Sequence, residues 1–281
     1  MLATDLIDLH RYPISTPGPA RDAVLAEVRA GLAARGCAVL KGFLTPAGVA
    51  AAVAETDAVA DKSHASHSRT NAYFTKEDPT LPESDPRRRF FDRSNAFIPA
   101  DNFEPGGALR TIHDCAGFDT FIRDCLEESE DRFFRYADPL ADVIVNAAGA
   151  GNGFPWHFDT NNFTVTLALQ NADEGGAFEY APMIRDTVDE HFDEVAKVLD
   201  GISDRVVSLE LEPGDLQLFK GRYSLHRVAP LAGSRPRYVA IFSYVQAPDM
   251  VGSVERTQQL YGRTLPVHHE RAGQRADTLI D

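Results

Sequence analysis

Cysteine is scarce in this sequence. Cys37, Cys115 and Cys125 are its only three, far apart, odd in number and without a CxxC pair. That pattern excludes a disulfide framework and a zinc finger and suits reduced thiols in a cytoplasm. Long apolar runs are missing too. No stretch approaches the roughly 18 apolar residues of a membrane span. The opening MLATDLIDLHRYPIS carries early acidic residues and no apolar core, unlike a secretory signal. Basic charge is in deficit, with 28 Lys and Arg against 42 Asp and Glu and a formal net charge of -14. An overall basic surface for nucleic-acid phosphates or anionic membranes is therefore absent. No internal repeat or low-complexity tract interrupts the chain. The partner expected is a small molecule, with no nucleic acid and no membrane, and the oligomeric state is open.

What is present is material for one sizeable core. Hydrophobic residues make up 43% of the 281 and charged residues 25%, which excludes global disorder. Residues 20–35 put Val24, Leu25, Val28 and Leu32 on one helical face, with Gly36 as the stop. CAVLKGF (37–43) reads as a short strand, and Thr45-Pro46 as the N-cap and first turn of a second helix. Residues 62–110 read as a long irregular segment, of the kind that is functional when it occurs in a compact domain. Residues 116–128 read as helical. From about 140 come DVIVNAA, FTVTLALQ, AFEYAP, RVVSLELEPGDLQLF and RYVAIFSY, short β-rich runs broken by Gly and Pro. One amphipathic helix interrupts them at 187–200, and 252–262 reads as a last helix. The expectation is a single domain over 1–281. Its parts are a helical and loop part (1–137), a β core of sandwich or barrel type (138–247) and a helical tail (248–281).

The chemistry concentrates in WHFDTNNFTVTLALQ (156–170). Strand side chains alternate between faces, so His157 and Asp159 would project to the same side. They could be two metal ligands or a simple polar strand end. A third candidate, His226, follows Asp159 by 67 positions, room for about five strands and a helix. Two histidines and one carboxylate on one face, with open positions left, form the facial triad of non-haem Fe(II) oxygenases. Arg237 opens the run after His226, past the turn-forming Gly233. A guanidinium on a neighbouring strand could reach the same cavity and grip a carboxylate with two hydrogen bonds. Arg235 competes for that role but precedes Pro236 and belongs to the turn. A salt bridge at a barrel rim is the other reading of Arg237.

These stretches resemble the Fe(II)/2-oxoglutarate-dependent oxygenase superfamily over about 140–247. WHFDTNNFTVTLALQ, GGAFEYAPMIR (175–185), LEPGDLQLFKGRYSLHRVAPL (211–231) and RYVAIFSY (237–244) look most like the BesD/HalD-type free-amino-acid halogenases and hydroxylases. The resemblance implies a mostly β fold with flanking helices around a double-stranded β-helix, a cupin-like jelly roll. It implies Fe(II) on His157, Asp159 and His226, with 2-oxoglutarate held by Arg237 and dioxygen as the third reactant. It also implies oxidation of an unactivated C–H with release of succinate and carbon dioxide. Halogenases of this branch carry a small residue where this chain has Asp159, so a hydroxylase, or another oxidation such as desaturation, is expected and not a halogenase. The substrate implied is a free amino acid or amino-acid-like metabolite. Its carboxylate would meet Arg93, with Asn95 beside it. Pairing of Arg93 with Asp92 or Asp101 is the other reading. Alternation from Arg237 puts Val239, Ile241 and Ser243 on the cavity face. Ile241 and Phe154 stand where lysine-using relatives carry polar groups, which puts lysine in doubt.

Other candidates read as structural. Trp156 packs beside the metal site, Glu179 and Tyr180 mark a strand edge, and His64 and His67 sit in a polar loop. His268 and His269 read as solvated, and Arg87, Arg88 and Arg89 as solvated or loop-anchoring. A peptide or protein hydroxylase and a non-catalytic jelly-roll ligand sensor remain open alternatives.

Overall fold

The structure is a computed structural model and describes residues 1–160 and 163–271. Its first part holds α1 (Ala3–Leu6), α2 (Pro19–Arg35), β1 (Cys37–Leu40) and α3 (Pro46–Ala58). Gly36 stops α2 at φ 62°, its N–H bonded to the carbonyl of Leu32. The Thr45 hydroxyl caps α3 by accepting from the N–H of Gly48 at 2.9 Å. Next come β2 (His64–Thr70), β3 (Phe91–Ile98), α4 (Ala108–His113), α5 (Phe118–Leu126) and β4 (Phe134–Arg135). The core strands are β5 (Val143–Ala148), β6 (Phe154–His157), β7 (Phe163–Gln170), β8 (Glu174–Gly175) and β9 (Phe178–Ala181). After α6 (Phe192–Leu199) follow β10 (Val207–Leu209), β11 (Leu216–Phe219), β12 (Leu225–Val228), β13 (Leu231–Ala232) and β14 (Arg237–Val245). The chain then forms α7 (Val254–Tyr261) and α8 (Pro266–Arg271).

Two antiparallel sheets face each other. The major one runs β1-β11-β7-β14-β5-β3-β2, with β4 also on β14, and the minor one runs β10-β9-β12-β6. Chain neighbours such as β11 and β12 fall in different sheets, the wiring of a jelly roll. Period-2 alternation gives the major sheet two characters. Val143 and Val145 of β5, Val165 and Leu167 of β7, Leu216 and Leu218 of β11, and Ala240 and Phe242 of β14 face the helices. There they join Leu25, Val28, Phe118, Phe121 and Ile122 in one core. Each large apolar side chain buried there stabilises the fold by roughly 1.5–3 kcal/mol. The residues between them face a cavity under the minor sheet: Ile144, Asn146, Thr164, Thr166, Gln217, Val239, Ile241 and Ser243. A second apolar cluster packs α6 (Val195, Val198) on the outside of the minor sheet through Trp156, Phe158 and Leu225.

Several expectations need correction. Residues 62–110 are irregular only in part: 71–90 hold no strand or α-helix, but β2 and β3 on either side pair over seven residues, from His64↔Phe97 to Thr70↔Phe91. HASHSRT lacks apolar alternation because β2 is the edge strand of its sheet. His64 and His67 thus sit on a strand, not in a loop. The run beginning at Trp156 is not continuous, since β6 ends at His157 and β7 begins at Phe163. The tail holds a second helix after 252–262. Tyr180 and Glu179 lie on β9, which is paired on both sides, so they mark no edge.

Candidate metal centre and cavity

His157 and His226 are direct register partners on β6 and β12. Alternation turns Trp156 and Leu225 outward into the apolar cluster and the two imidazoles inward. Their ring centroids lie 4.2 Å apart. His157 Nδ1 meets the carbonyl of Pro155 at 2.8 Å and His226 Nδ1 that of Ser224 at 2.9 Å. Each Nδ1 therefore carries the proton, which leaves both Nε2 atoms as electron-pair donors. Asp159 lies just past β6, its N–H bonded to the carbonyl of Gly221 at 3.1 Å. Its Oδ1 stands 3.4 Å from His226 Nε2 and 4.0 Å from His157 Nε2. Its Oδ2 accepts from the Thr164 hydroxyl at 2.6 Å. One ligand atom from each of the three residues lies within 4.8 Å of the others.

Electrostatics suit a divalent cation. Burial pushes the His157 pKa well below the ordinary value, and the His226 and Arg93 charges add to the shift, so its imidazole is neutral. Burial works to raise the Asp159 pKa. The neighbouring His226 and His157 and the hydrogen bond from Thr164 outweigh it and hold the group below the usual carboxylate range. Two imidazoles and one carboxylate form a mixed N and O donor set of the facial-triad kind, so the residues present fit a ferrous ion.

The cavity beside this trio has a volume of about 190 Å³. Arg237, at the start of β14, lines it and is 8% exposed. Burial pushes its guanidinium pKa down to about 10. It does not sit on a strand adjacent to that of His226. It reaches the cavity from the opposite sheet, because β12 and β14 belong to different sheets. Arg235 does not line the cavity; its Nε donates to the carbonyl of Asn171 and its backbone N–H to Asp173.

Arg93 of β3 is 4% exposed and forms no ion pair with Asp92 or Asp101; the partner of Asp101 is Arg263. Its guanidinium lies between the rings of Phe74 (4.9 Å) and Phe154 (4.8 Å). With its amide oxygen turned toward the guanidinium, Asn95 accepts from Arg93 Nε at 2.9 Å and Nη2 at 3.2 Å, while the buried Nη1 has no hydrogen-bond partner among the described residues. Burial, then repulsion from Arg256, depresses its pKa, with Asp159 opposing the shift. A buried guanidinium with an open donor is poised for an anion. Phe74 holds φ 56°, uncommon for a bulky residue, so the backbone is strained at the cavity wall.

Sequence reasoning missed part of this wall. Arg256, Thr257, Leu260 and Tyr261 of α7 line the cavity, as do Phe74 and Phe97. Nothing in the polar α7 sequence signals that role. Thr164 and Thr166 left a signal, two hydroxyls at alternate positions of an apolar strand. His268 is fully buried rather than solvated, its Nε2 3.0 Å from Asp138 Oδ2, whereas His269 is exposed. Arg87 anchors its loop through Asp85, and Glu179 pairs with Arg227.

Among solved structures, a non-heme alpha-ketoglutarate-dependent epimerase, SnoN from nogalamycin biosynthesis, matches at TM-score 0.57 and 14% identity. The match covers 80% of this chain and 84% of that one. A Trichoplax adhaerens prolyl hydroxylase, solved with a hypoxia-inducible-factor peptide, matches at 0.52 and 16%, over 80% and 90% of the two chains. A 2OG-Fe(II) oxygenase-family oxidoreductase from Burkholderia pseudomallei matches at 0.50 and 14%, over 83% and 94%. At these identities the likeness is one of fold, the oxygenase jelly roll. No curated protein matches the sequence. The family model described as Halogenase D matches residues 119–262, about half of the chain. That span runs from α5 through the metal-type trio and Arg237 to the end of α7, and the chain belongs to the Halogenase D family.

Proposed function

We propose that this protein is an Fe(II)- and 2-oxoglutarate-dependent hydroxylase of a free amino acid or amino-acid-like metabolite. The observation that carries the reading is Asp159, its Oδ1 turned toward both histidine Nε2 atoms. A carboxylate there takes the position a halide would need and repels it, so hydroxylation is favoured over halogenation despite the family's name. With dioxygen and 2-oxoglutarate, the iron supplies the power to oxidise an unactivated C–H, giving succinate and carbon dioxide. The chain supplies placement. His157, Asp159 and His226 would hold the metal, and Arg237 the distal carboxylate of 2-oxoglutarate. Arg93, steadied by Asn95, would take the substrate carboxylate, with Ile241, Ser243 and Phe154 beside the reacting carbon. The aromatic wall excludes water.

A cavity of about 190 Å³ is below the roughly 300–1,000 Å³ of drug-sized pockets, which supports a small substrate over a peptide. Because α7 lines the cavity, the tail is read as part of one oxygenase domain spanning 1–281. The test is succinate release with Fe(II) across a panel of free amino acids, with mass spectrometry for a product one oxygen heavier. Asp159→Ala should abolish that product. Full activity in this variant would end the triad reading, and succinate without any modified amino acid would favour a peptide substrate or a sensor.

A further inference from the structure

We propose that the groove where β3 meets β6 is the substrate's port, in which Ser68 and Arg93 take an amino acid's carboxylate before it passes into the metal cavity. This deepens the hydroxylase reading and rests on it. The groove has a volume of about 610 Å³. Ser68, Ser94, Gly151 and Pro155 line it and not the metal cavity, whereas Arg93, Phe154 and Val228 line both. Those three side chains therefore form the partition between the two spaces. Two donors at this partition suit an anion. Ser68 and Arg93 are register partners on β2 and β3, so their side chains share a face. The Ser68 hydroxyl and Arg93 Nη1 are both buried and have no hydrogen-bond partner among the described residues. Buried polar atoms are nearly always paired, so each of these calls for a ligand or another explanation. A carboxylate offers two acceptor oxygens, one for each donor. Asn95 holds the guanidinium through Nε and Nη2, which leaves Nη1 to meet the incoming group.

Arg93 is 4% exposed, so the partition is shut in this structure and passage requires it to part. The backbone is weakly joined at this seam. β3 belongs to the major sheet and β6 to the minor one. Among the described residues one isolated bridge ties β3 to the start of β6, that of Ser94 with Gly153, and its N–H to carbonyl distance is a long 3.4 Å. The Ser94 hydroxyl adds a hydrogen bond to the Asn152 amide oxygen. The β6–β12 ladder shifts register between His226 and Val228, beside Phe154. The segment 149–153 that leads into β6 holds Gly149, Gly151 and Gly153, and Gly151, at φ 77°, has no atom within 4 Å of where a Cβ would lie. The flank formed by α7 is fastened instead, because Asp138 accepts from the N–H of Gly252 before that helix and from His268 after it. Of these two boundaries the seam is the one with fewer bonds to break.

A port residue has a kinetic signature. Affinity depends on the free and bound end states alone, so losing a contact made only on the way slows entry and exit by the same factor. The probe is the standard L-amino acid consumed from an equimolar mixture of them by protein with Fe(II), 2-oxoglutarate and air. Anaerobic stopped-flow mixing of that amino acid with protein carrying Fe(II) and 2-oxoglutarate gives its association and dissociation rates. Ser68→Ala should slow both by about three- to tenfold, the loss of one hydrogen bond, with the dissociation constant unchanged. Unchanged rates would overturn the port. So would a weakened affinity with an unchanged association rate, which would make Ser68 part of the binding wall. A reversible staple gives the second test. Paired residues such as Ser94 and Gly153 lie within disulfide reach. In the double variant Ser94→Cys/Gly153→Cys, oxidation should lower kcat/KM for the amino acid about tenfold or more, leave 2-oxoglutarate binding by calorimetry unchanged, and be reversed by a reducing thiol. An oxidised form that turns over as fast as the reduced one would overturn the inference while leaving the hydroxylase reading intact. A Cβ at Gly153 would lie 3.2 Å from the Val228 carbonyl, and should the double variant fail to fold or to close, Ser68→Ala decides alone. If no amino acid is consumed, the free-amino-acid reading itself fails and takes the port with it.

Discussion

Asp159 uses its two oxygens differently. Oδ2 is fixed by the Thr164 hydroxyl, and Oδ1 is left facing the two imidazoles. Gly221 makes room for this arrangement, because a Cβ there would lie 1.9 Å from Asp159 Oδ2. That contact is far inside van der Waals distance, and the carboxylate is the part able to move. Gly221→Ala is therefore expected to weaken metal binding by roughly 10–100-fold, the usual effect of disturbing groups that orient a ligand. A Mn(II) or Fe(II) titration monitored by calorimetry reads it, and wild-type affinity would contradict the geometry. For Arg237→Gln, loss of a charged, two-pronged grip should raise the KM for 2-oxoglutarate about 10–100-fold, with a smaller change in kcat. An unchanged KM would move the carboxylate site elsewhere.

At the scale of elements, the wall formed by α7 depends on a buried polar tie. Asp138 is 1% exposed and His268 fully buried. His268 Nδ1 accepts from the N–H of Leu265 at 2.8 Å, which puts the ring proton on Nε2, where it is donated to Asp138. Asp138 also takes the N–H of Gly252, just before α7. The same carboxylate thereby joins the two flanks of α7, which packs against β2 and β3. His268→Ala leaves Asp138 short of one donor in a dry site and should cost about 1–3 kcal/mol in urea denaturation. It should also raise the KM for the substrate, proposed above to be an amino acid, while sparing that for 2-oxoglutarate, since α7 lines the cavity and Arg237 lies on β14. Equal effects on both constants would mean a general loss of stability instead.

Across the whole molecule, stability should depend on pH through a residue remote from the metal. His113 of α4 is 1% exposed, stacks on Phe242 with centroids 5.2 Å apart, and has no hydrogen bond to either ring nitrogen among the described residues. Burial, helped by the charge of Arg135, pushes its pKa down to about 4 against the pull of Asp119, Asp142 and Asp114. The unfolded chain takes up this proton near pH 6.5 and the folded one near 4. Folding stability is thus held above about pH 6.5 and falls by roughly 1.4 kcal/mol per unit as pH drops toward 4. His113→Phe preserves the stacked ring and removes the titration. Its urea midpoint should fall less than that of the wild type between pH 7 and pH 5, and parallel declines would refute the assignment.

Much of this was readable from local pattern alone. RYVAIFSY reads as one strand, and the two-residue period of a strand assigns Arg237, Val239, Ile241 and Ser243 to one face, where all four line the cavity. The His-x-Asp spacing, the Thr45 cap and the Gly36 stop are equally local. The β2–β3 hairpin was not readable, since an edge strand such as HASHSRT takes its conformation from the partner it pairs with. Gly221 beneath Asp159, α7 on the cavity wall and the His268–Asp138 tie lie equally beyond local pattern. Residue order by itself determined which side chains share a strand face and which could donate to a metal, because these follow from backbone period and side-chain chemistry. Only the tertiary structure decided that Arg237 approaches from the opposite sheet and that α7 forms part of the cavity wall. Those features arise when two sheets close on each other and bring together residues that no sequence interval connects.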